Sequence, residues 1–529
     1  MLTTPPKRPV RFFNTTGPCY PWDHYMLPPA DRLVDAQLHR YIGDKLYWVL
    51  HAPRQTGKTT FLQSWAREIN SGDEAVACYT SLEACQGISG RVEAMKTMHH
   101  AICESARASG LPVPALPLDN PELLLYQTMQ KWSSLIAPKP LVILFDETDA
   151  LEGDAMIGFL RQLRSGFMDR GIGKFPVSIA LVGMRDLKDY VTAAKDGIPP
   201  SPLSPFNIKE DSVLLGNFVQ EKKKKLFAQR TEETGQRITD EALEYVWEQS
   251  QGQPWIVNSL FKRATIRTLQ AEDYSTVTRE HIEQAREQMI LARETHLDSL
   301  SVRIQEPAVR KVMESMITGI PDPMLTAGEG FRICVDLGLV KRERGTPMVA
   351  NPMYKEVLAR QLTYSTQDTI PEPEWQWEKP DSSLDMHALL REFQIFWREN
   401  SEMWEEKSDY TEAFPHLLLM AFLQRVLNGG GRIEREYAVG RGRMDLFVEY
   451  NAYKYIIEIK LIYNKQSPDT VRIKGLEQTA KYRNIKAPDC PAYLVIFDRR
   501  DSAKSRSWDE KIIWQEEAVP GGTVTVVGC

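Results

Sequence analysis

Three short stretches of this chain carry residue types that do chemistry, at spacings which that chemistry requires. HAPRQTGKTT (51–60) fits GxxxxGK[ST] except that Ala52 stands where the first glycine would be. The part that phosphate needs is intact. Pro53, Arg54, Gln55 and Thr56 lead into Gly57, which lets backbone N–H groups approach phosphate oxygens. Lys58 can reach the β- and γ-phosphates, Thr59 can ligate Mg²⁺, and Thr60 continues into a helix whose positive end favours an anion. Ala52 is a mild departure, because a Cβ is tolerated wherever φ stays negative. At 88 positions beyond Lys58, PLVILFDETD closes an apolar run with Asp146 and Glu147. An acid at such a strand end holds Mg²⁺ through water, and its neighbour can polarise an attacking water. Asp149 is either a further acid of this group or a helix N-cap. ATP and Mg²⁺ are the cofactors these two stretches imply.

The third stretch is RGRMDLFVEYNAYKYIIEIKLI, in which twelve residues separate Asp445 from Glu458 and Lys460 follows. Strand side chains alternate, so Glu458 and Lys460 share one face while Ile457, Ile459 and Leu461 take the other. A hairpin would bring Asp445 beside Glu458, and two carboxylates at a sheet edge suit Mg²⁺. A neighbouring lysine can then orient water or offset charge on phosphate. The tripeptide alone means little, since Asp186-Leu187-Lys188 and Glu221-Lys222-Lys223 have the same form. Its setting singles it out: charged residues inside an apolar strand are costly to bury without a reason. The plainer alternative is a half-exposed strand with a structural ion pair.

The elements that must position these residues are legible in outline. Apolar runs at 46–50, 75–82, 140–145 and 176–183 alternate with helix-length segments such as 91–108 and 122–136, which predicts a largely parallel sheet covered on both faces. The strand signal ends near 208. Residues 209–298 read as a helical lid broken at GQP (252–254), and 299–364 as helices with a wing turning at Gly345. A Pro- and acid-rich stretch, 365–384, reads as a linker. Helices at 385–399 and 411–427, three strands, a helix at 470–485 and the strand 492–497 form a second α/β domain, 385–529.

Composition bounds the setting. The 529 residues exceed one hydrophobic core, and 65 Lys+Arg against 71 Asp+Glu exclude nucleic-acid binding by bulk charge. HLLLMAFL (416–423) falls far short of a membrane span, and the seven scattered cysteines suggest reduced thiols in a cytoplasm. The expectation is a cytoplasmic protein with no membrane contact. KKKK (222–225) reads first as a solvated helix face and second as a nucleic-acid contact.

Residues 11–364 resemble the bacterial AAA-like P-loop ATPases, through FFNTTGPC, HAPRQTGKTT, FDETDAL, LVGMRDLKDY, GQPWIVN and LGLVKRERG. The resemblance implies a P-loop NTPase parallel sheet with lid and winged helix (core 1–208). It places Arg185 after the sensor strand and Pro254 near the nucleotide base. Arg161, Arg164 and Arg170 are either an arginine finger toward a second copy or a helix face. Residues 411–498 resemble the PD-(D/E)XK nuclease superfamily, a restriction-endonuclease-like α/β fold, through Glu412, Asp445, Glu458, Lys460, Gln478 and Tyr482. That resemblance implies metal binding by Asp445 and Glu458, help to the nucleophile from Lys460, completion of the metal site by Glu412, and a DNA or ordering contact at Gln478. Arg441, Arg443, Lys465, Arg472, Lys474, Lys481 and Arg483 would form a phosphate track. Together these imply an ATPase joined to a Mg²⁺-dependent nuclease, acting on DNA rather than RNA, in a homo-oligomer with an activating partner. Its setting would be defence against foreign DNA. The alternatives are a nucleotide-driven switch whose C-terminal domain grips without cutting, or a repair or mobile-element factor.

Overall fold

A computed structural model describes residues 11–33, 37–117, 120–184, 208–270, 273–292, 300, 303–304, 306–317, 323–358, 377–405, 418–420, 422–423, 431–439, 442–462, 466–498, 500, 503 and 507–529. The chain divides into two compact units: Met1–Asp298 with Arg332–Lys341 and Ala350–Met353, and the remainder.

In the first unit, strands β1 (Tyr47–His51), β2 (Val76–Ser81), β3 (Leu141–Asp146) and β4 (Ser178–Gly183) arise from the four apolar runs. Alternation sends their side chains to opposite faces. Tyr47, Val49, Ile143, Phe145, Ile179 and Leu181 pack under helices α3 (Arg91–Ala108), α4 (Leu124–Ile136) and α5 (Gly153–Gly166). Trp48, Leu50, Val142, Leu144, Ala180 and Val182 meet Phe61, Leu62 and Trp65 of α2 (Lys58–Ser71), on the other face. Each buried Val, Leu, Ile or Phe among them contributes roughly 1.5–3 kcal/mol, and double coverage explains why the strands read as continuous apolar runs.

A further strand, β5 (Lys209–Leu214), extends the sheet past the expected end of its signal at 208. It lies at the edge beside β1, where Glu210, Asp211 and Ser212 are exposed and Val213 is buried. All strands are parallel, in the order β2-β3-β4-β1-β5. One strand therefore separates the loop-bearing β1 from the acid-bearing β3, and both discharge at the carboxyl edge of the sheet, where open α/β folds bind ligands. Helices Lys222–Thr234, Asp240–Ser250, Pro254–Arg263 and Arg279–Leu291 follow. Further on, helix Glu329–Asp336 precedes a hairpin of β6 (Val340–Glu343) and β7 (Thr346–Val349), turning at Arg344 and Gly345.

The second unit contains a six-stranded mixed sheet. β8 (Gly431–Val439), β9 (Gly442–Tyr450) and β10 (Tyr453–Ile462) form an antiparallel meander. Helix Pro468–Lys486 then crosses to β11 (Ala492–Asp498), which is parallel to β10. A hairpin of β12 (Trp514–Val519) and β13 (Gly522–Gly528), which the sequence reading did not include, adds the far edge beside β11. Of the expected linker, 377–384 is docked rather than free. Tyr450 donates to Glu378, Asn451 to the Ser382 carbonyl and Tyr453 to the Asp381 carbonyl, at 2.9, 2.9 and 3.1 Å. Among the described residues, no helix is long and apolar enough to cross a membrane.

Candidate nucleotide and nuclease sites

The loop after β1 is held in shape by its own polar groups. Thr56 donates to the Pro53 carbonyl at 2.8 Å, Thr60 accepts from the Cys19 amide at 3.0 Å, and Gly57 caps α2 at φ +89°. Ala52 is fully buried and its amide bonds to the Gly183 carbonyl of β4, so its Cβ is accommodated. Lys58 turns back on the loop, donating to the Ala52 and Pro53 carbonyls at 2.8 and 3.0 Å. Burial pushes its ammonium below the usual lysine range, opposed by Asp146, Asp149 and Glu147.

Thr59 is joined directly to the acid of β3: its hydroxyl donates to Asp146 Oδ2 at 2.6 Å. The same oxygen accepts from the Tyr79 hydroxyl at 3.3 Å, and Oδ1 accepts from the Glu147 amide at 3.0 Å. Asp146 is buried, which raises its carboxyl above the ordinary range; these hydrogen bonds and Lys58 pull it back. Glu147 has φ +54°, and its Oε2 accepts from the Ser81 hydroxyl at 2.9 Å. Gln55 in the loop has φ +56°. Left-handed backbone at residues other than glycine costs on the order of 1–3 kcal/mol and gathers at functional sites. Burial raises Glu147 too, with the Ser81 hydroxyl lowering it. Asp149 lies beside Gly183 at the end of β4.

Neighbouring elements close on this loop. Half-buried Arg32 donates to the Thr56 and Gly216 carbonyls at 2.5 and 3.2 Å, and desolvation brings its guanidinium down to about 10. Pro254 opens its helix at a capped start, where Gln253 accepts from the Ile256 amide at 2.7 Å and donates to the Gln55 carbonyl at 3.5 Å. The sequence reading missed Ser81, Tyr79 and Arg32. Ser81 lies opposite Asp146 because β2 pairs in register with β3. Arg185 lies outside the described residues. Arg170 is committed to the Lys45 carbonyl at 2.8 Å, whereas Arg161 and Arg164 are exposed on α5. The lysine run is largely paired: Lys222 with Asp31, Lys223 with Glu244 and Lys224 with Asp240.

In the second unit, Glu458 has no exposed surface and Lys460 Nζ lies 2.6 Å from its Oε1. The two share a face of β10, as strand alternation requires. Helix Pro468–Lys486 packs closely here because position 475 is glycine. A Cβ there would stand 3.3 Å from Lys460 Cγ and 2.7 Å from Leu494 Cδ1. Gln478 on that helix donates to the Tyr482 hydroxyl at 2.8 Å. Leu446 of β9 lies opposite Ile457, so Asp445 and Glu458 are the next positions along the two strands. The side chain of Asp445 and all of Glu412 lie outside the described residues, as do Arg441 and Lys465 and the side chain of Arg443. Of the expected phosphate track, Lys474 and Lys481 are exposed, but Arg472 pairs with Glu517. Arg483 is buried with a bond to the Thr523 carbonyl. Among the described residues no cluster of three His, Cys, Asp or Glu side chains could hold a metal.

The two units thus define an α/β parallel-sheet, P-loop-like domain and a mixed-sheet, PD-(D/E)XK-like domain. Residues 410–488 match the PD-(D/E)XK nuclease superfamily. Among solved structures, the Walker-type ATPase of Pyrococcus abyssi is similar at 14% identity, covering 61% of this chain and 96% of that one, with a TM-score of 0.44. Cdc6p from Pyrobaculum aerophilum is similar at 11% identity over 63% and 96%, with a TM-score of 0.35. The RuvB Holliday junction branch migration motor of Thermotoga maritima follows at 16% identity over 60% and 90%, with a TM-score of 0.34. The class of the first unit rests on its strand order and loop, not on these loose likenesses. No curated protein matches the chain.

Proposed function

We propose that the chain is an ATP-binding and ATP-hydrolysing protein with a Mg²⁺-dependent nuclease domain acting on DNA. The observation that carries the nuclease reading is the wholly buried Glu458, ion-paired to Lys460, within the segment that matches a nuclease superfamily. A buried carboxylate within a central strand beside a lysine is costly to keep unless its charge is used.

The residues of the first unit fit their implied cofactors. Thr59 and Asp146 already present a hydroxyl and a carboxylate 2.6 Å apart. These are hard oxygen donors of the kind Mg²⁺ takes while phosphate and water complete its shell. Lys58 would exchange its two loop carbonyls for phosphate oxygens. The bound ion supplies charge neutralisation at the phosphates. Glu147 would accept a proton from the attacking water, and Ser81 sets its orientation and acidity. In the second unit Asp445 and Glu458 are the proposed metal ligands, Lys460 steadies the nucleophile, and Glu412 and Gln478 complete the site. Arg185 and Pro254 are proposed nucleotide contacts, and the hairpin after Glu329–Asp336 is proposed as the wing of a winged helix. We further propose assembly as a homo-oligomer, nucleotide control of cutting, a cytoplasmic setting and a role in defence against foreign DNA.

Cleavage of DNA and RNA by the full chain, with and without ATP and with Mg²⁺ or EDTA, tests the reading. Metal-dependent cleavage abolished by both Asp445→Ala and Lys460→Ala is expected; cleavage that survives both substitutions overturns it.

A further inference from the structure

The back of the C-terminal sheet carries a cavity that neither site uses. It measures about 360 Å³ and opens between the strap 377–384, the start of helix Met386–Glu405 and the first residues of β10 and β11. Tyr453 and Tyr455 are odd positions of β10 and take the face opposite Glu458 and Lys460, while Lys454, an even position, borders the cavity at the start of the strand. Tyr493 joins the same side, because it pairs in register with Ile457.

The lining divides by chemistry. The floor is buried and largely aromatic: Tyr455 and Tyr493, with Met386. The Tyr455 hydroxyl is already engaged, accepting from the Leu384 amide at 2.8 Å and donating to its carbonyl at 2.9 Å. That hydroxyl is therefore closed to a ligand. The rim is exposed and cationic: Lys379 and Lys454 stand there, with Tyr453 and His387. The His387 ring is fixed by stacking on Trp514 at 5.5 Å and by the edge of Tyr493 at 5.4 Å. No carboxylate lines the cavity among the described residues. The acids nearest the lysines, Asp385 at 4.0 Å from Lys379 and Glu449 at 3.9 Å from Lys454, sit at the limit of ion-pair contact. Such exposed, stretched pairs hold an ammonium weakly.

We propose that this cavity binds one nucleotide unit, with a base against its aromatic lining, where Tyr453 and His387 are exposed, and its phosphate at the two lysines. The volume lies within the range of small-ligand sites. Base stacking on aromatic side chains contributes roughly 1–3 kcal/mol per base, and ammonium groups suit phosphate. An amine ligand would meet no acid here, and a purely apolar one would strand the cationic rim. A free mononucleotide and the phosphorylated end of a strand present the same chemistry. The site does not depend on the ATPase or nuclease reading. One wall is the strap that leads to the inter-domain segment, so an occupant would brace it.

Calorimetric titration of the full chain carrying Lys58→Ala, in EDTA, tests this apart from the other two sites. The probes are adenosine monophosphate, a 5′-phosphorylated deoxytrinucleotide, adenosine and ribose 5-phosphate. Binding of one of the first two is expected, with adenosine and ribose 5-phosphate each weaker by about tenfold or more. Adding Lys379→Ala and Lys454→Ala, both at exposed positions, should weaken it by about tenfold or more with an unchanged circular dichroism spectrum. Tighter binding of the mononucleotide identifies a free ligand, and tighter binding of the trinucleotide a strand end. Absence of binding by both, or binding indifferent to the lysine pair, overturns the proposal.

Discussion

The side chains around Asp146 form one electrostatic unit, and their couplings set what single substitutions should do. Lys58→Ala removes the only ammonium the loop offers and should lower ATP affinity by about 100-fold or more; equilibrium nucleotide binding checks this. Glu147 illustrates the sign of a pH effect. Its carboxyl is raised by burial, and a base must be ionised, so hydrolysis should be full at higher pH. It should fall away as pH drops through a value above the ordinary glutamate range of about 4.3. Ser81 lowers that value by donating to the carboxylate. Ser81→Ala should therefore move the acid limb of the pH–rate profile upward while ATP affinity stays within about twofold. An unmoved limb would show that the hydroxyl does not tune the base. In the second unit, Lys460→Ala leaves Glu458 buried beside an empty place, at a cost of up to about 3 kcal/mol. Denaturant unfolding should show the loss, and Lys460→Arg should recover part of it.

At the scale of elements, both sites depend on close approaches that particular residues permit. Gly252 has φ +76°, and a Cβ there would stand 2.2 Å from the Phe218 carbonyl oxygen, a backbone atom that cannot yield. Gly252→Ala should destabilise the first unit by about 2–4 kcal/mol and weaken nucleotide binding, because Gln253 next to it reaches the loop. Thermal unfolding with and without ATP measures both effects. The central strands of the first unit were legible because burial on both faces makes LVILFD and SIALVG almost wholly apolar. The strand KEDSVL was not, since it lies at an edge and its Glu210, Asp211 and Ser212 are exposed. The hairpin WQEEAV/GTVTVVG escaped for a related reason: β12 is an edge strand with polar positions. GKTT and DET were legible as motifs, while Arg32, Tyr79 and Ser81 reach the site only through tertiary pairing, which no local spacing encodes. The strap 377–384 read as linker because its anchors are tyrosine hydroxyls from a distant hairpin bonding to its carbonyls and to Glu378.

At the scale of the whole molecule, the chain joins two α/β units, each with its own core and its own buried acid on a sheet strand. The modest net charge of −6 fits this arrangement, since acids at the two sites offset local basic residues and leave no bulk field. The proposed coupling makes DNA cleavage depend on the nucleotide state of a loop in the other unit. The most direct measurement is Mg²⁺-dependent cleavage of DNA by the full chain at saturating ATP, run beside Lys58→Ala and Lys460→Ala. The account predicts cleavage by the parent chain, none with Lys460→Ala, and a rate altered by about tenfold or more with Lys58→Ala. Cleavage undiminished in the Lys460→Ala protein would contradict it.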